Sequence, residues 1–159
     1  MTMIRIYSGP PGAGKSTLAR QWAASRPRGL CIPVDDLRLW VVGGIADTLP
    51  EWTDETTRQF ALAEDAAALV AKNYAAAGFD VAIDHCRMPE NIDAMVERAF
   101  AGVTVEKIAV LPPLDVVLQR NRERTNKDFD PLLLEPIIKV VHAAYAAADL
   151  SSWTLEPNP

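Results

Sequence analysis

The sequence predicts an α/β protein, a three-layer sandwich in which a five-stranded parallel sheet carries helices on both sides. Three observations support this. Apolar runs of strand length alternate with helix-period segments along the chain. Three of those runs end at chemically useful residues: a glycine-rich loop after Ile4 to Ser8, Asp35-Asp36 after Leu30 to Val34, and Asp84 after Phe79 to Ile83. Open parallel sheets bind ligands at the carboxyl ends of their strands. Finally, no repeat, low-complexity tract or compositional break divides the 159 residues, so a single domain over 1–159 is expected.

The first strand, Ile4-Arg5-Ile6-Tyr7-Ser8, runs into the glycine loop, and a helix from Ser16 to Ala24 follows, with Leu18 and Trp22 on one face. Pro27 stops it, and Gly29 precedes the second strand, where Pro33 points to an edge or irregular position. A helical turn is expected over Leu37 to Val41, then a loop marked by Gly43-Gly44 and Pro50. Thr53 or Asp54 can cap a long helix reaching about Ala77, with Leu62, Ala66, Leu69, Val70 and Ala77 as its apolar stripe and Gly78 as its C-terminal stop. After strand three, Pro89 opens a helix with Ile92, Met95, Val96 and Phe100 inward. Strand four spans Val103 to Leu111 and ends at Pro112-Pro113; a helix from Leu114 follows, with Val117 and Leu118 inside. Asn126 to Pro131 is a polar break. A last helix runs from Pro136 to Ala148, with Ile137, Val141, Ala144 and Tyr145 on one side, and Trp153-Thr154-Leu155 forms the fifth strand.

Composition narrows the function. Hydrophobic residues at 49% and charged residues at 23% suit a globular domain that buries a core. No apolar run is long enough to span a bilayer, and the strand beginning at the N-terminus leaves no leader to expect. Cys31 and Cys86 lack metal-type spacing, which favours a reducing, cytoplasmic setting. A net charge of −5 argues against broad binding to nucleic acid, although it leaves room for a local basic cleft.

Gly9-Pro10-Pro11-Gly12-Ala13-Gly14-Lys15-Ser16, followed by Thr17, fits G-x-x-x-x-G-K-[ST] between a strand and a helix. Glycine permits backbone conformations that turn successive N–H groups onto a phosphate, and the next helix points its positive end at the same anion. Lys15 is expected to reach the β- and γ-phosphates and the Ser16 hydroxyl to ligate Mg²⁺. Asp84, after Val81-Ala82-Ile83, is a weaker candidate for a distant second layer around Mg²⁺, or for contact with an acceptor. His85 and Cys86 are sequence neighbours whose side chains point apart, a poor nucleophile pair. His142 sits among alanines and reads as structural.

The glycine loop, then Asp35-Asp36-Leu37-Arg38, Ile83-Asp84 and Arg120-Asn121-Arg122-Glu123-Arg124, resemble in their order a kinase-like family with a phosphate-binding loop. It includes phage-type polynucleotide 5′-hydroxyl kinase, chloramphenicol phosphotransferase and the zeta-toxin kinases, and the polynucleotide kinase domain is the nearest match. The resemblance covers roughly Met3 to Tyr145. It implies Asp35 as general base toward a substrate hydroxyl, with Asp36 as the fallback, and Arg38 as a holder of the acceptor. It also implies a small lid around 120–131 from which Arg120 and Arg124 close on the nucleotide; four residues apart, they share a helix face, with Arg122 turned to solvent. In this family the segment from Trp40 to Glu55 would build the acceptor lid. Its acids and aromatics would suit a polar or cationic small molecule better than a polyanion.

The expectation is an ATP- and Mg²⁺-dependent kinase with Lys15, Asp35, Arg38 and Arg124 as catalytic residues. Gly9, Pro10, Pro11, Gly12, Ala13, Gly14, Lys15, Ser16, Thr17 and Arg120 hold the nucleotide, and Ser16 and Asp84 serve the metal. The acceptor is expected to be a hydroxyl on a nucleoside, sugar or antibiotic. The alternatives are a polynucleotide 5′-hydroxyl kinase and a nucleotide-binding regulatory protein without phosphotransfer.

Overall fold

The computed structural model describes residues 1–125 and 129–157. Five strands, β1 (Ile4–Ser8), β2 (Gly29–Pro33), β3 (Asp80–Asp84), β4 (Val105–Val110) and β5 (Thr154–Glu156), form one parallel sheet in the order β2-β3-β1-β4-β5. The helices are α1 (Lys15–Ala24), α2 (Val34–Leu39), α3 (Asp54–Ala76), α4 (Pro89–Ala99), α5 (Leu114–Arg122) and α6 (Glu135–Ala147); a 3₁₀ turn, Pro131–Leu134, precedes α6. The expected fold is therefore the observed one. No helix among the described residues is long and apolar enough to cross a membrane.

Strand alternation sorts the core into two layers. Ile4, Ile6, Val81, Ile83 and Ala109 face α3, α4 and α6, where Ala67, Ile92, Met95, Val141 and Tyr145 pack. Tyr7, Ala82, Ile108 and Val110 face α1, where Ala19 and Ala23 pack. β1 pairs with both β3 and β4, so the residues after Ser8 leave the centre of the sheet. Pro33 does lie on an edge strand, which needs no N–H on its open side.

Two local expectations are corrected. β2 ends at Pro33 and α2 begins at Val34, three residues before the expected turn, so Asp35 and Asp36 lie in a helical first turn rather than at a strand end. The stripe of α3 is also rotated. Leu62, Leu69 and Val70 face outward, while Phe60, Ala63, Ala67, Ala68 and Ala71 meet the sheet. Alanines let a helix backbone approach a sheet closely; the larger leucines would hold it off. Thr53 is the cap of α3, exchanging hydrogen bonds with Thr56.

Candidate active site

The glycine loop is fixed by backbone requirements. Gly9 has φ +150°, and a Cβ there would stand 2.2 Å from the Val110 carbonyl oxygen. Gly14, at φ +100°, is the N-terminal cap of α1. The Ala13 amide donates to the Pro10 carbonyl at 3.2 Å, closing the loop on itself. Lys15 is buried, and its Nζ donates to Pro10 O at 2.8 Å, so the ammonium lies across the mouth of its own loop.

At the end of the adjacent strand the Ser16 hydroxyl donates to Asp84 Oδ2 at 2.5 Å. Burial pushes the Asp84 carboxyl up from its ordinary value, while the Ser16 hydrogen bond and the Lys15 charge work against that. Asp35, exposed in the first turn of α2, belongs to the same electrostatic neighbourhood: its charge acts on Asp84, Arg38 and Cys86. Lys15 and Arg124 also act on Cys86, whose thiol burial pushes up. Arg120 Nη1 donates to Ala13 O at 3.3 Å, which ties α5 to the glycine loop. α5 ends at Arg122, so Arg124 lies beyond it and shares no helix face with Arg120; the chain turns there through an Arg124 N–H to Asn121 O bond. Arg122 is exposed and pairs with Glu135 at 2.6 Å. Of the lid expected around 120–131, residues 126–128 lie outside the described residues.

The opposite wall is made of side chains. The Arg38 guanidinium lies 4.0 Å from the centre of the Phe60 ring and donates through Nη2 to Ala46 O at 2.8 Å. Its Nε is buried without a hydrogen-bond partner among the described residues. Burial lowers the Arg38 pKa, Asp35 and Asp47 oppose this, and the Arg87 charge adds to it. Arg87 follows β3 by three residues and lies 5.0 Å from the same Phe60 ring and 5.4 Å from Trp52. Trp52 itself stacks on Phe60 at 4.8 Å. Beneath them Glu64, 2% exposed, accepts from Arg87 Nε at 3.1 Å and Arg98 Nη2 at 3.1 Å, with His85 Nε2 2.9 Å away. Burial alone would raise the Glu64 carboxyl; His85, Arg87 and Arg98 together hold it below its ordinary value. Gln59 fastens the segment between α2 and α3, accepting from Ala46 N and donating to Gly44 O, both at 2.8 Å.

Of the acids expected to shape this wall, Asp47 is the one whose charge acts on Arg38. Asp54 and Glu55 begin α3, Glu55 is held by Arg58 and Gln59, and Asp47 and Glu51 are exposed. Trp40 is 75% exposed. The sequence reading missed Phe60, Glu64 and Arg87. Arg87 carried a usable signal, since it closely follows a strand that ends in the cleft. His142 is placed as a structural group, its Nε2 donating to Pro112 O at 2.9 Å.

Residues 4–141 match the family model described as an AAA domain. Among solved structures, the chain is similar to a sugar kinase from Janibacter sp. HTCC2649, at 18% identity and a TM-score of 0.65, over 99% of this chain and 85% of that one. It is similar to a gluconokinase from Sinorhizobium meliloti 1021, at 16% identity and a TM-score of 0.60, over 97% of this chain and 81% of that one. A chain of the Pnkp1/Rnl/Hen1 RNA repair complex is similar over 93% of this chain and 46% of its own length, at 19% identity and a TM-score of 0.65. No curated protein matches the chain in sequence.

Proposed function

The chain belongs to the AAA domain family, and from that premise we propose that it is a cytoplasmic kinase that transfers the γ-phosphate of ATP to a hydroxyl of a small molecule. The observation that carries this reading is the meeting of the loop after β1, the first turn of α2 and the end of β3. The Lys15 loop, the Ser16–Asp84 contact and the exposed Asp35 share one electrostatic neighbourhood, which Arg38 and Arg124 border. A switch protein has no need of a carboxylate that has no ion pair among the described residues and lies near the phosphate loop.

The donor set fits Mg²⁺, which takes oxygen ligands and draws few of them from protein. Ser16 Oγ would hold the ion, and Asp84 would hold a water around it. When bound, the ion neutralises charge on the β- and γ-phosphates. The loop amides and Lys15 bind those phosphates, so Lys15 exchanges its bond to Pro10 O for phosphate oxygens. Arg38 orients the acceptor. Its hydroxyl oxygen forms a new bond to the γ-phosphorus as the bond to the bridging oxygen breaks, ADP departs, and the hydroxyl proton passes to the Asp35 carboxylate. Arg120 and Arg124 supply fixed positive charge on the nucleotide side.

The test is transfer from γ-labelled ATP to a panel of sugars, nucleosides, aminoglycosides and 5′-hydroxyl oligonucleotides. Label on a small hydroxylated compound is expected, and its loss in Asp35→Asn would assign the base. A second reading, polynucleotide 5′-hydroxyl kinase, is favoured by Asp35-Asp36-Leu37-Arg38 and predicts label on the oligonucleotide.

A further inference from the structure

Two guanidinium groups over one aromatic ring form an arrangement that the proposed transfer does not by itself require. Arg38 and Arg87 come from different elements, yet both lie within 5.0 Å of the Phe60 ring centre. Their like charges disfavour one another, as the effect of Arg87 on Arg38 shows. Among the described residues Arg38 has no ion pair, and its Nε has no hydrogen-bond partner. Asp35 and Asp47, the acids acting on it, stand beyond ion-pair distance. Arg87 is bound through Nε to a carboxylate that Arg98 also uses, and Arg98 has Asp65 besides. Glu64 therefore fixes the direction of Arg87 without fully neutralising it. Phe60 lies within cation–π distance of both guanidiniums and also stacks with Trp52 and His85.

We propose that Arg38 and Arg87, spread over Phe60 and braced by Glu64, form a seat for an anionic oxygen group on the acceptor, so that the molecule phosphorylated is a small hydroxylated acid or phosphate ester. This deepens the kinase reading and rests on it. A carboxylate or phosphate meets planar, fixed donors from both sides, and its charge relieves the repulsion between them. The hydroxyl to be phosphorylated is then turned toward Asp35. Arg87 is thereby a specificity-determining residue for the acceptor.

The test compares transfer to matched pairs: a sugar acid against its neutral sugar, and a sugar phosphate against the same sugar. The first pair reports a carboxylate, the second a phosphate. The expected result is a preference of about tenfold or more in kcat/KM for the charged member of at least one pair, carried by KM. In Arg87→Ala the ratio within that pair falls about tenfold, and Arg87→Lys, which keeps the charge, recovers part of it. Thermal melting separates this from unfolding. Equal transfer to both members, a ratio unmoved in Arg87→Ala, or label confined to a 5′-hydroxyl oligonucleotide would overturn the seat. If the wild-type chain binds ATP and labels nothing, the kinase reading fails. The seat is then decided by direct titration of inorganic phosphate and of the sugar acid, with Trp52 fluorescence as readout and Trp52→Phe as control. Saturable, Arg87-dependent quenching supports it, and its absence overturns it.

Discussion

The two walls of the cleft are built by different means. The nucleotide wall is backbone: three glycines with positive φ, a loop closed by its own amide, and a lysine folded over it, all within eight consecutive residues. The proposed acceptor wall is side chain: Arg38 from α2, Phe60 and Glu64 from α3, Arg87 after β3 and Arg98 from α4. A backbone cradle recognises what every nucleoside triphosphate shares, whereas a side-chain wall can be rebuilt residue by residue for a different acceptor.

Asp35→Asn should show the largest effect, since it removes the proposed proton acceptor and leaves both walls standing. Turnover is expected to fall about 10³-fold while the KM for ATP holds, measured by steady-state transfer of label. Retained turnover would remove the base from the space between the walls. Glu64→Gln probes the brace of the acceptor wall and should cost about 3 kcal/mol of stability in chemical denaturation near neutral pH. The sign with pH follows from a carboxyl held below its ordinary value of 4.5. Its stabilisation is full above that value and is lost as pH falls through the lower folded value. Melting curves taken down the acid range should therefore converge for the wild type and Glu64→Gln. Curves that stay parallel would mean that the buried carboxylate contributes nothing by its charge.

Asp84→Asn probes the nucleotide wall through its one side-chain contact with Ser16, and should raise the Mg²⁺ concentration for half-maximal transfer by about tenfold. An unchanged requirement would remove Asp84 from the metal's surroundings. The smallest change belongs to Leu69→Ser, on the outward face of α3, where a stability change within about 0.5 kcal/mol is expected in thermal melting. A larger loss would show that the leucine face is covered in solution.

The same contrast explains what could be read from sequence. The glycine loop was legible because its requirements are local: positive φ, a strand before it and a helix after it. The sheet was legible because both core layers follow strand alternation. The rotation of α3 was not, because hydrophobicity favours Leu62 and Leu69 while closeness to the sheet favours Ala63, Ala67 and Ala71. Counting apolar residues cannot weigh that steric preference. The start of α2 was misplaced because Val34 reads as strand, although Pro33 ends the pairing with β3 at Asp84. Glu64 and Phe60 were invisible as site residues, since one turn of a long helix carries no mark of what the sheet brings opposite it.

Tyr145 of α6 donates through its buried hydroxyl to Ser8 Oγ at 2.7 Å and lies 2.9 Å from Arg87 O, joining residues 137 positions apart at the roots of both walls. During synthesis the glycine loop is made well before α6, which carries the group that ties it to the other wall. Binding competence should then appear only after α6 has been made and packed, well after the loop itself.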